Sequence, residues 1–341
     1  MSTLLKSVFW ALTISVTFVV TSCKHHSQDD IGDSGRTVRT ELLLKHLASQ
    51  ADTAGYLLGH ADDTLYGVGW RGDSARSDVQ NAVGDLPALL ALDISGIDRP
   101  VQRSGVKARQ QWLDKLRTAA VRHFDLGGAV LLTWNPQPHD ELQMDAALDS
   151  VASFITTLRT SYGVRVPVLF RPCLDGQGWW NRLSDSQYRQ LWQEMTERLK
   201  SKELPNVLMV YSRCAPWIET RYPEEDVDII EACVSLEGQA SLQPIAEAAA
   251  RHHKPLGVAL ASSVSMPDNV WTASVAPMLA HYHVAYLLTG ANRDSHHFGI
   301  PFLGHPALSD FVKFCNLPRT LLLHDVNALY LPHLGEEGAD K

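Results

Sequence analysis

The chain has 341 residues, 45% of them hydrophobic, enough to bury a large core in one unit. Thirty Lys and Arg stand against 38 Asp and Glu, a formal balance of −8 with no basic block, which argues against nucleic acid as a partner. Cys173, Cys214, Cys233 and Cys315 lack zinc-like spacing and sit mostly in apolar surroundings, so buried free thiols are expected.

Residues 1–23 read as an export signal, with Lys6 before an apolar stretch from Val8 to Val20 that is too short for a membrane span. Val20-Thr21-Ser22-Cys23 resembles the lipobox of bacterial lipoproteins. That resemblance implies a lipid on Cys23 and attachment to a membrane of the bacterial cell envelope, at the outer membrane or periplasmic face. A polar tether, 24–38, a single domain, 39–332, and a short tail, 333–341, complete the organisation.

Eight short apolar runs have the look of buried parallel strands: Tyr56 to Leu58, Leu89 to Ile94, Ala129 to Trp134, Val166 to Phe170, Val207 to Tyr211, Val227 to Ile230, Leu256 to Leu260 and Val284 to Leu288. Segments with helical periodicity alternate with them, among them Val106 to Phe124, Leu142 to Leu158, Gln187 to Leu199, Ile245 to His252 and Trp271 to Tyr282. Eight such units predict an α/β fold, a (β/α)₈ TIM barrel, with its functional face at the C-terminal ends of the strands.

The residues at those strand ends carry a resemblance. Gly59-His60-Ala61-Asp62-Asp63-Thr64-Leu65-Tyr66-Gly67-Val68-Gly69-Trp70, Leu92 to Asp98, Val166 to Pro172, Trp179-Trp180 with Asp185 to Trp192, and Pro306 to Leu317 fall in the order and spacing of glycoside hydrolase family 26. The best-known members of that family are endo-acting β-1,4-mannanases. The likeness runs from about Thr40 to Tyr330 and implies β-mannan or a related β-linked glycan as partner, with no cofactor.

A retaining glycosidase needs two carboxyl groups about 5–5.5 Å apart, one to attack the anomeric carbon and one to protonate the leaving oxygen. In the family the acid/base Glu follows an Arg-Pro after strand 4; here Arg171-Pro172-Cys173-Leu174-Asp175 places Asp175 there. The family's nucleophile ends strand 7, and matching Lys254-Pro255 places Leu260 on it. No Asp or Glu lies between Glu247 and Asp268, so a shift of register restores none. Asn135, Leu174, Ser235 and Gly290 also depart from the family's pattern. The resemblance therefore implies glycan binding with little or no retaining hydrolysis. Two alternatives stay open: a glycosidase with rearranged carboxylates, pairing Asp175 with Asp93, Asp98, Glu231 or Glu237, and an envelope scaffold that binds no glycan.

The candidate binding residues are His60, Asp62, Trp134, Arg171, Trp179, Trp180, Tyr211 and Asn292. Asp175 is either a residual acid or a turn cap. Trp179 and Trp180 stack on sugar or pack the rim, and His60 with Asp62 forms a sugar-binding corner or an internal pair. Arg171 orients neighbours more than it touches ligand, and Asn292 binds sugar or caps a loop. His252-His253 and His296-His297 are adjacent pairs without matching carboxylates, so no metal site is expected. Ser262, Ser263 and Ser265 lack a nucleophile-elbow frame.

Overall fold

A computed structural model describes residues 31–332 apart from 33, 54, 74, 100–101, 138–140, 177, 215, 236–241, 262–265 and 327. The expected lipid site Cys23, and Glu237, Ser262, Ser263 and Ser265, lie outside the described residues.

Eight parallel strands close on themselves: β1 (Tyr56–Ala61), β2 (Leu89–Asp93), β3 (Ala129–Trp134), β4 (Val168–Pro172), β5 (Val207–Arg213), β6 (Ile229–Val234), β7 (Leu256–Leu260) and β8 (Tyr286–Thr289). Each pairs with the next, and β8 pairs back onto β1 through Leu57 with Tyr286 and His60 with Thr289. Helices α1 (Val38–Thr53), α2 (Asp78–Val83), α3 (Val106–Asp125), α4 (Glu141–Thr156), α5 (Asp185–Lys200), α6 (Gln243–Arg251), α7 (Ala276–Ala280) and α8 (Leu308–Cys315) accompany them. The molecule is a (β/α)₈ barrel, and all eight expected strands are present.

Several strand boundaries differ from expectation, two of them for one physical reason. β4 and β6 run on to Pro172 and Val234, through Arg171 and Glu231, where the apolar runs stop. Both charged residues are buried and pair with each other, so the strand continues past the end of its hydrophobic signal. α5 begins at a capping box, in which Ser184 accepts from the Gln187 N–H and the Gln187 side chain accepts from the Ser184 N–H, satisfying two first-turn donors.

Side chains alternate between two buried layers along each strand. Leu57, Leu89, Ala91, Ala129, Leu131, Leu169, Leu208, Val210, Ile229, Ala259, Tyr286 and Leu288 belong to the inner cluster. Leu58, Leu90, Leu92, Val130, Leu132, Trp134, Val168, Phe170, Tyr211, Ala232, Val234, Val258, Leu260 and Leu287 belong to the layer between barrel and helices. Gly257 faces inward because a β-carbon there would lie 2.2 Å from the Tyr286 ring, which fills the barrel. Leu43 and Leu47 of α1 join the inner cluster and close the floor. Just before α1 the chain is pinned to that floor: the Thr37 N–H donates to the Pro205 carbonyl (2.9 Å), ahead of β5, and Arg36 pairs with Asp228 (2.6 Å), ahead of β6.

Candidate glycan-binding mouth

The alternation decides which strand-end residues reach the mouth. On β7, Gly257 and Ala259 point inward, and the Ala261 N–H continues the ladder to the Val234 carbonyl, so the next inward position is Ala261, which is exposed. Leu260 is 3% exposed and belongs to the outer apolar layer. The expectation that Leu260 faces the site is therefore corrected: the inward positions at the end of β7 are Ala259 and Ala261, and both are methyl groups.

The same rule removes other candidates from the mouth. Trp134 is completely buried and stacks on Phe170 in the outer layer, with ring centroids 6.2 Å apart. Tyr211 is 1% exposed and lies among Tyr188, Trp192, Trp217 and Tyr222, all outside the barrel wall. His60 shares the strand face of Leu58 and has its Nδ1 2.8 Å from Thr289 Oγ1. Burial lowers its pKa to about 4, so its ring is neutral, and its Nε2 lies 3.9 Å from Asp63. Burial likewise raises Asp63 to about 7. His60 thus belongs to an internal cluster.

Asn292 is wholly buried: its amide donates to Asp78 (2.8 Å) and its oxygen accepts from the Gly299 and Ile300 N–H groups. Of its two readings, the geometry supports the loop cap. Trp180 is 2% exposed, donates to the Leu174 carbonyl (3.2 Å) and packs edge-on against Trp179. Trp179 remains partly exposed, its indole N–H directed to the Pro136 carbonyl at 3.3 Å.

Asp175 sits at the rim, partly exposed, and each of its oxygens accepts from the protein. Oδ1 takes the Gly176 N–H (3.1 Å), and Oδ2 takes the Cys214 N–H (2.9 Å) and the Arg213 guanidinium (3.1 Å). Cys214 is joined by a disulfide to Cys233 on the neighbouring strand, which corrects the expectation of free thiols for these two; Cys173 and Cys315 are free and buried. Asn135 faces the same region, its side-chain oxygen accepting from the Leu174 N–H (2.9 Å). At the β1–β2 side, Asp62 accepts from Tyr66 (2.6 Å) and from the Asp93 N–H (3.1 Å), and burial raises its pKa to about 6. Asp62, Tyr66, Asp93 and Ser95 line a cavity of about 500 Å³ at this edge.

Below the mouth lies a network that patterning alone did not single out. Glu231 on β6 is fully buried; its Oε1 accepts from Arg171 (2.8 Å) and Ser212 (2.7 Å), and its Oε2 from the Tyr286 hydroxyl (2.9 Å). Arg171 also donates to Thr133 Oγ1 through Nη2 at 2.7 Å. Arg171 thus orients the Glu231 carboxylate. Glu231 is enclosed, with both oxygens engaged, so it is not presented to a ligand at the mouth.

Comparison with known proteins agrees with this fold. The sequence model of glycosyl hydrolase family 26 matches residues 129–250, from β3 to the end of α6, and stops before β7. A GH26 β-mannanase from Bacteroides ovatus superposes with a TM-score of 0.78 at 28% identity, covering 88% of this chain and 99% of its own. GH26C from Muricauda sp. superposes at 0.76 with 22% identity, covering 87% and 95%. A modular endo-β-1,4-mannanase from Cellulomonas fimi gives 0.76 at 23% identity, covering 89% and 80%. At these last two identities the likeness speaks for the fold.

Proposed function

We propose that the chain is a divergent member of glycosyl hydrolase family 26 and that it binds β-mannan or a related β-linked glycan at the barrel mouth with little or no retaining hydrolysis. The observation that carries this reading is the end of β7, where Ala259 and Ala261 occupy the inward positions. A methyl group forms no glycosyl-enzyme, so these two positions supply no attacking carboxylate for double displacement.

Asp175 adds to the reading. A general acid must deliver a proton to the leaving oxygen, whereas both oxygens of Asp175 accept hydrogen bonds from its own loop and from Arg213 and Cys214. The rearranged-carboxylate alternative is weakened because Glu231 lies enclosed among Arg171, Ser212 and Tyr286.

For the sugar, Trp179 is the platform, since it is partly exposed while Trp180 is packed away. An aromatic face suits the apolar C–H face of a pyranose. Native electrophoresis through gels containing mannan tests binding: retardation of the wild-type protein, reduced in Trp179→Ala, is expected. Turnover of manno-oligosaccharides at ordinary glycosidase rates would sink the reading, and unretarded migration would favour an envelope scaffold. The lipoprotein assignment at Cys23 belongs to the same proposal. The Cys214–Cys233 disulfide supports the export part of it, because such bonds persist in oxidising compartments outside the cytosol.

A further inference from the structure

The cavity at the β1–β2 edge does not stand alone. Leu65, Tyr66 and Trp112 line it and also line a second cavity of about 540 Å³, which runs between the segment after β1 and helix α3. The two cavities are neighbours along the side of the barrel, with Tyr66 and Trp112 between them.

The second of them, a groove, is cationic in a chain of net charge −8. Arg71, Arg76, Lys115 and Arg122 line it, against one described carboxylate, Asp114, which is already paired with Arg117 at 3.0 Å. Arg71 and Arg76 lie over the rings of Tyr66 and Trp70 at 5.3 and 5.4 Å, neutral partners that hold the guanidinium groups in place without cancelling their charge. Among the described residues, Arg71, Arg76 and Lys115 pair with no carboxylate. Lys115 reaches across the groove: a β-carbon on Gly72, next to Arg71, would lie 3.6 Å from its Nζ. Like charges gathered along a cleft repel, and an anion in the cleft relieves the repulsion; the arginine fork suits two-oxygen anions in particular.

We propose that this groove takes an oxyanion, carboxylate or sulfate, carried by a sugar residue of the glycan that leaves the mouth. The protein would then prefer acidic β-glycans to neutral ones. The inference rests on the glycan-binding reading for the sugar to which the anion is attached.

Binding of the full soluble domain is measured in gels containing neutral galactomannan, a glucuronate-bearing β-1,4-glycan, a sulfated glycan, or polyglutamate as a polyanion without sugar, each at low salt and at 0.2 M NaCl. The acidic or the sulfated glycan is expected to bind about tenfold more tightly than galactomannan at low salt, and whichever of the two leads identifies the oxyanion. The preference is expected to shrink in 0.2 M NaCl, where the screening length falls to roughly 7 Å. The combined variant Arg71→Gln, Arg76→Gln, Lys115→Gln, altered only at exposed positions, should lose the preference and keep its affinity for galactomannan. Equal binding of acidic and neutral glycans overturns the inference while leaving neutral-glycan binding intact. Polyglutamate bound as tightly as the acidic glycans also overturns it, as does a variant that retains the preference. Variant-sensitive binding of an acidic glycan without any binding of galactomannan supports the inference and removes the mannan reading instead.

Discussion

Placing a glutamate at two adjacent positions, Leu260→Glu and Ala261→Glu, separates the two possible registers of β7. Leu260 is 3% exposed among apolar side chains of the outer layer, whereas Ala261 is exposed at the mouth. Leu260→Glu forfeits the burial of a leucine side chain, about 1.5–3 kcal/mol. It also encloses a carboxyl group without a provided partner, at a further cost of about 1–3 kcal/mol even when the carboxyl is protonated. The total, roughly 2.5–6 kcal/mol, is a large part of the 5–15 kcal/mol that typically holds a domain together. Because the buried carboxyl is forced to stay protonated, its folded pKa rises above the unfolded value, and the penalty grows as pH rises from about 4. Ala261→Glu should change stability by no more than about 0.5 kcal/mol. Urea denaturation followed by circular dichroism at pH 5 and pH 8 measures both. A Leu260→Glu protein within 1 kcal/mol of wild type at pH 8 would refute the outward assignment. Restoration of hydrolysis is accordingly to be sought in Ala261→Glu.

Glu231→Ala leaves Arg171 buried without its carboxylate and deprives Ser212 and Tyr286 of their acceptor, so a loss of about 3–5 kcal/mol is expected in the same denaturation assay. A loss below 1 kcal/mol would show that the network is not a structural support. Asp63, raised to about 7 by burial, holds in the folded state a proton that the unfolded chain has released, so it lowers stability progressively as pH rises from about 4 to about 7. His60, lowered to about 4, acts in the opposite direction between about 4 and 6.5, so the effect of Asp63 is isolated by difference: the melting temperature of Asp63→Asn should gain on wild type as pH rises across this window, and parallel curves would contradict the assignment. Trp179→Ala should weaken mannan retardation by a factor of about three to ten with little change in melting temperature, and Trp180→Ala should lower the melting temperature by several degrees. Cys23→Ala should move the protein from the membrane fraction to the soluble exported fraction, read by immunoblot; an unchanged distribution would remove the lipid anchor.

The barrel was legible because each strand, buried on both faces, is a short apolar run set apart from helical periodicity. That double burial also hid which residues face the mouth. A strand covered on one side alternates polar with apolar residues, but Leu256 to Leu260 is apolar throughout, so nothing in the run distinguishes Ala259 inside from Leu260 outside. Trp134, Tyr211 and His60 were misplaced for the same reason. One signal was available: Thr133, Arg171, Ser212 and Glu231 are polar residues within otherwise apolar strands, and all four meet inside the barrel. Counting outward from them in steps of two places the residues at the ends of β3, β4, β5 and β6, Trp134 and Tyr211 among them, on their proper faces. The disulfide had a fainter mark, two cysteines at the ends of consecutive strands, visible only once both strands run their full length. Trp112 carried no mark at all, being one apolar residue in the periodic pattern of α3.

The pinning of Thr37 to Pro205 and of Arg36 to Asp228 fixes a polarity for the whole molecule. The chain enters at the floor, and the strands, averaging five to six residues at about 3.3 Å each and tilted by about 36°, raise the mouth roughly 15 Å above it. With a lipid on Cys23, the anchor would attach on the floor side, opposite the opening of the barrel. A soluble polymer could then lie across the rim at full length without meeting the membrane, and a long chain could be held by several such molecules side by side, each adding to a grip that no single mouth provides.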